Sequence, residues 1–145
     1  DGQVSLTRFH MAQALERSGR VRRPHDAWKL LGHDVVPLVD LSFVEAIGHA
    51  RTWGALTSWA HPPLADAQRH LPAFVAAGLQ GVEASRPTQD RATRNGLTKL
   101  ARRFNLLVTG GSDWHGWWEG EFGLYRFEHE GAERFLSQLD GPALA

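Results

Sequence analysis

Between residues 55 and 109, three short apolar runs alternate with two helix-length segments, and this alternation restricts the fold more than any other feature of the chain. The runs occupy residues 55–60, 81–84 and 106–109. Apolar stretches this short suit strands buried in a parallel sheet. His61-Pro62-Pro63 breaks the first run, since proline cannot donate to a ladder. The intervening segments predict a helix over about 66–77, stopped by Gly78, and another over about 88–104. Pro72 is placed to split or kink the first of these. The order strand, helix, strand, helix, strand implies right-handed crossovers and an α/β fold, with a parallel sheet and helices outside it. Upstream, residues 6–18 predict a helix ending at Gly19, and Pro24 opens a short one over 25–31 closed by Gly32. Ser42 with Glu45 forms a capping box for a third helix, whose Phe43, Ile47, Ala50 and Trp53 lie on one stripe. Residues 124–127 and 131–139 read as a last strand and helix. At 145 residues the whole chain, 1–145, is expected to form a single domain.

In parallel sheets the chemistry collects at the carboxyl edge, where strands end. His61, Ser85-Arg86 and Asp113-Trp114-His115 all fall just after strand ends. In an extended or turn segment Asp113 and His115 project to the same side and can reach one ion. Gly110, Gly111 and Gly116 let the backbone bend and approach a bound group. With no cysteine in the chain, carboxylate and imidazole are the available ligands, a set that suits zinc, manganese or iron. Alternatively, Ser112 and Asp113 cap a turn and leave His115 at the surface. His61, at the end of an apolar run, is either a further ligand or the partner of a backbone carbonyl. Glu83, a carboxylate inside an apolar strand, is expected to be tied to a lysine, an arginine or a backbone donor. Trp114, Trp117 and Trp118 either stack on a nucleobase or cover the end of a core, with packing favoured for Trp117 or Trp118.

Lysine plus arginine and aspartate plus glutamate number 16 each, so no global field draws the chain to a polyanion. Long nucleic acid is disfavoured on that ground, while a short strand end or a phosphorylated small molecule held locally is not. No apolar run approaches the ~18 residues of a membrane span, and no targeting segment opens the chain, so a soluble cytoplasmic protein without membrane contact is expected. A first residue other than methionine suggests a processed, excised or truncated chain.

Thr7-Arg8-Phe9-His10, Ala60-His61-Pro62, Gly81-Val82-Glu83 and the run from Leu107 through Gly110-Gly111-Ser112-Asp113-Trp114-His115-Gly116 together resemble the PHP (polymerase and histidinol phosphatase) family, in its metal-dependent phosphoesterase branch. The resemblance covers residues 5–116 or so. It implies part of a distorted (β/α)7 TIM-like barrel with divalent ions at the carboxyl edge. It implies His61, Asp113 and His115 as metal ligands, and hydrolysis by metal-activated water of a phosphomonoester such as a nucleotide, or of a nucleic-acid phosphodiester end. His10, Arg8 and Arg86 would then orient the phosphate, Arg86 through two parallel hydrogen bonds. A surface salt bridge is the other use of either arginine. Two departures stand out. Arg8-Phe9-His10 replaces the family's arginine-proline-histidine, and the amino-terminal half carrying a histidine-x-histidine pair is absent from the chain. His25, His33, His49 and His70 do not reproduce that pair and are expected to be solvated or capping. The chain thus reads as the C-terminal portion of a hydrolase whose isolated turnover should be small, or as an incomplete or degenerate fragment that binds metal or phosphate without turnover. Part of a barrel leaves strand edges open, so an N-terminal half or a second copy is an expected partner.

Overall fold

A computed structural model describes residues 6–32, 35, 39–114, 123, 125–127 and 130–139. The chain divides into two compact units, Asp1–Asp40 and Leu41–Ala145. The first is a helical pair. Helix α1 (Arg8–Arg17) begins at Thr7, and a short 3-10 helix (Pro24–Lys29) starts with proline at its first position. Proline is favoured there because its missing N–H would be unpaired anyway. Ala12, Ala27 and Leu31 are buried together, with Leu15 and Val21 packed against them.

The second unit holds the alternating elements. Helix α2 (Phe43–Thr52) has the expected capping box: the Glu45 N–H donates to Ser42 Oγ, and the Ser42 N–H donates to the Glu45 carboxylate at 2.8 Å. Only Ile47 of its stripe is buried. Phe43 is 56% and Trp53 74% exposed, so the stripe is wider than the surface it covers. Phe43 instead lies flat on Phe74, with ring centroids 5.1 Å apart.

Strand β1 (Ser58–Trp59) is followed by helix α3 (Leu64–Ala77), strand β2 (Gly81–Ser85), helix α4 (Arg91–Arg103) and strand β3 (Leu107–Gly110). The strands pair in parallel in the order β1-β2-β3, as the alternation requires. The first strand is shorter than the apolar run that announces it, because it forms the edge and pairs over only Ser58 and Trp59. Pro72 does not split α3, which runs unbroken to a left-handed Gly78. Helix α4 starts later than its composition suggests, at Asp90, whose side chain accepts from the Thr93 N–H at 2.9 Å.

The register sorts side chains between the two faces of the sheet. Trp59, Val82 and Val108 align across the strands, and all three join Leu71, Leu97 and Ala101 in the core beneath α3 and α4. Residues one position away face oppositely, so Ser58, Glu83 and Thr109 share the other face. Gly81 lies between Ser58 and Leu107 in register, and a Cβ there would be 3.1 Å from Ser58 Oγ. Its absence gives Ser58 Oγ a path to Thr109 Oγ1, 2.8 Å away. A helix-covered apolar face and a polar opposite face are the two sides of this layer.

Helix α5 (Glu130–Leu139) packs against β3, and Arg134 donates to Asn105 Oδ1 at 2.9 Å. The last strand expected at 124–127 is not formed at the described residues 125–127. Side chains anchor this segment in place of a ladder: the Tyr125 hydroxyl bonds Ser85 Oγ, and Phe127 packs on the core. Among the described residues no helix is long and apolar enough to cross a membrane.

Candidate metal centre

His61, Arg86 and Asp113 follow the carboxyl ends of β1, β2 and β3. His61 follows β1 after one residue and is exposed, with φ of 34°. Pro62 disfavours the right-handed helical region for the residue before it, and the turn uses the left-handed region, which costs an ordinary residue about 1–2 kcal/mol. The compensating contact comes from the neighbouring strand. Glu83 Oε2 accepts the His61 backbone N–H at 2.7 Å, linking β2 to the end of β1. A hydrogen bond to an ionised group contributes about 1.5–3 kcal/mol net, enough to offset the strain of the turn. The expectation that Glu83 is tied to a backbone donor is met by this bond.

Strand β3 delivers the other half of the edge. The Gly111 N–H donates to the Ser85 carbonyl at 3.1 Å, which carries β2–β3 pairing past a register shift between Glu83 and Ser85. A Cβ at Gly111 would lie 3.3 Å from Glu83 Oε1, so the carboxylate reaches from the His61 turn to the Gly111 backbone. Two residues on, Asp113 adopts φ of 54°, a conformation aspartate tolerates better than most residues. Its Oδ2 is 3.3 Å from Nη1 of Arg86, which follows β2, and each side chain is 30% exposed. Arg86 Nε is buried without a hydrogen-bond partner among the described residues. The Trp114 N–H donates to Ser112 Oγ at 3.3 Å, and the residue is 39% exposed. His115, Trp117 and Trp118 lie outside the described residues, as does His33.

His61 and Glu83 are thus brought together, as are Arg86 and Asp113, on adjacent strand ends. Among the described residues no three potential ligands stand close enough to hold an ion. The donor chemistry nevertheless fits one. Asp113 already draws a cationic group to its carboxylate, and His61 offers an imidazole with no thiolate nearby.

Arg8 and His10 belong to the helical pair and have local partners there. His10 occupies the third position of α1, where its Nδ1 accepts the Thr7 N–H at 3.1 Å. Arg8 donates to the Leu31 carbonyl and places its guanidinium 5.3 Å from the Trp28 ring centroid. His25, His49 and His70 are exposed, the last two stacked on Trp53 and Phe74.

The closeness of the Glu83 carboxylate to Gly111 at this edge was not foreseen from the sequence. The signal was a charged residue within a four-residue apolar strand, in a chain where a glycine doublet follows the next strand.

No family profile matches the chain. It is 38% identical over 80 residues to a phosphoribosyl 1,2-cyclic phosphate 1,2-diphosphodiesterase of Eggerthella lenta, a match covering 53% of this chain and 30% of that protein. Its structure is similar to that of a Bifidobacterium adolescentis protein described as a metal-dependent phosphoesterase, with a TM-score of 0.72 and 29% identity over 90% of this chain and 50% of the other. It is also similar to an amidohydrolase of Chromobacterium violaceum solved with bound sulfate and no metal, with a TM-score of 0.65 and 25% identity over 75% of this chain and 42% of the other. The chain therefore spans half or less of the length of each of these relatives. In sequence and in fold the chain is thus similar to part of a phosphodiesterase and of a metal-dependent phosphoesterase, which supports the resemblance to a PHP-type phosphoesterase domain.

Proposed function

We propose that this chain contributes the carboxyl-edge ligands of a metal-dependent phosphoesterase within a distorted TIM-like barrel. The observation that carries the reading is the arrangement of His61, Asp113 and Arg86 just beyond three consecutive parallel strands, in a chain akin to a phosphodiesterase. His61, Asp113 and His115 would hold divalent manganese, zinc or iron. When bound, such ions supply positive charge for phosphoryl oxygens and acidify water.

The residues of the chain then have distinct tasks. The Arg86–Asp113 pair is partly solvated, and pairs of that kind contribute only about 0–1 kcal/mol. It is weak enough for Arg86 to turn towards a phosphate while Asp113 faces an ion. Arg86 Nε, without a partner among the described residues, supports this, because a guanidinium with an unsatisfied donor gains from a phosphate oxyanion. Arg8 and His10 are candidate phosphate-orienting groups whose present partners are local. Trp114, partly exposed beside Asp113, is a candidate surface for a nucleobase or sugar. The substrate class is a phosphomonoester such as a nucleotide, or a phosphodiester in a cyclic phosphate or a nucleic-acid end. An N-terminal half or a second copy of the chain is the partner proposed to complete the barrel.

The test is hydrolysis of bis(p-nitrophenyl) phosphate with and without manganese, alongside manganese titration by calorimetry. Any turnover should vanish with chelator and in His61→Ala and Asp113→Ala, and both substitutions should abolish or greatly weaken manganese binding. Turnover that survives chelation, or manganese binding unchanged in both variants, would refute the proposal.

A further inference from the structure

Glu83 is a charged side chain on the middle strand of the described sheet, placed on the polar face opposite the core. Among the described residues it has no salt-bridge partner, so neither lysine nor arginine explains it. One of its oxygens receives the His61 N–H at 2.7 Å, and the other lies 3.3 Å from where a Cβ of residue 111 would stand. His61 is otherwise poorly held: it is exposed, its φ is 34°, and a proline follows it. A turn of that kind is a minor conformer of an isolated chain. A carboxylate fixed in a strand and bonded to the N–H of the turn selects it.

We infer that Glu83 is a positioning residue, whose carboxylate holds the His61 turn so that the imidazole faces the carboxyl edge near Asp113. Gly111 serves the same arrangement by leaving room for the carboxylate between two strand ends. The glutamate acts through His61 and on its backbone, which separates this role from ligation. Groups that orient a ligand commonly change metal affinity by about 10–100-fold when removed. The inference rests on the metal-binding reading of His61, and the experiment below separates the two.

Isotope-labelled wild-type chain, Glu83→Gln and Glu83→Ala are compared by hydrogen exchange at the His61 amide and by calorimetric titration with zinc. Glutamine keeps an acceptor oxygen of the same reach, whereas alanine removes it. Wild type and Glu83→Gln should protect the His61 amide and bind zinc within a few-fold of each other. Glu83→Ala should lose that protection and bind at least about tenfold more weakly, with its far-UV spectrum retained. Zinc affinity falling in Glu83→Gln as far as in Glu83→Ala would overturn the inference, because charge or direct ligation would then be the role. An unprotected His61 amide in wild type would overturn it as well, and so would full protection and affinity in Glu83→Ala. If His61→Ala binds zinc like wild type, the metal reading fails by itself, and amide exchange still decides whether Glu83 holds the turn.

Discussion

Gly110 and Gly111 are adjacent in sequence, yet alanine should be costly at the first position and nearly neutral at the second. Neither has a φ in the left-handed region, so backbone strain does not separate them. Their surroundings do. A Cβ at Gly110 would lie 2.5 Å and 2.7 Å from ring carbons of Phe127 and 2.9 Å from the Ser85 carbonyl oxygen. The ring can tilt, but the carbonyl belongs to β2 and accepts the Gly111 N–H, so relief requires the β2–β3 pairing to open. Overpacking of this kind costs about 1–3 kcal/mol, and engagement of both backbone and ring puts Gly110→Ala near the top of that range. At Gly111 the only close atom among the described residues is Glu83 Oε1, 3.3 Å away at the end of a side chain. A shift of a few tenths of an ångström suffices there, and alanine's lower unfolded-state entropy returns about 0.4–1 kcal/mol. Gly111→Ala should therefore be within about 0.5 kcal/mol of wild type. Urea unfolding followed by far-UV circular dichroism measures both differences from the shift in midpoint at constant slope. Equal stability of Gly110→Ala and wild type would refute the packing of Phe127 and Ser85 around the end of β3.

Further expectations follow from the same geometry. Pro72 is exposed and interior to α3, where proline removes a hydrogen bond towards the Gln68 carbonyl; Pro72→Ala should stabilise the chain by about 1–3 kcal/mol, and an unchanged or lower melting temperature would count against a continuous helix. Arg86→Gln removes a cation 3.3 Å from Asp113. Manganese affinity should rise several-fold by calorimetry, since a unit charge at about 4 Å is worth ~1 kcal/mol even in water; unchanged affinity would show that Arg86 does not compete for that carboxylate. The Ser42 side chain and N–H hold the Glu45 carboxyl below its ordinary value, and those of Thr93 do the same for Asp90. A depressed folded-state pKa gives stabilisation that is present above the unfolded-chain value and lost as pH falls through the folded value. Melting-temperature deficits of Glu45→Ala and Asp90→Ala should accordingly shrink as pH falls from neutral through the acidic carboxylate range, and a constant deficit would contradict these caps.

The parallel sheet was legible because its signals are local and reinforce one another. Gly81-Val82-Glu83-Ala84 and the run before Gly110 are too short and too apolar for helices, and the segments between them carry helix stops. The capping box at Ser42 and Glu45 is likewise a short-range pattern. Long-range partners decided what was not legible. Nothing in the composition of residues 55–60 shows that this strand lies at an edge with only two paired residues. Tyr125 and Phe127 look like strand residues, but they act as side-chain anchors on Ser85 and Gly110. At the site, strand ends identified His61, Arg86 and Asp113, while the bonds between them depend on cross-strand register and a bulge. The Glu83–His61 and Arg86–Asp113 pairs therefore appeared only with the fold.

The most direct test of the account is metal retention. After loading with manganese or zinc and gel filtration, mass spectrometry should find bound ion in the wild-type chain, a large loss in Asp113→Ala and His61→Ala, and wild-type content in a remote control such as Pro72→Ala. A wild-type chain that retains no ion, or Asp113 and His61 variants that retain as much as wild type, would contradict the assignment of this edge as a metal centre.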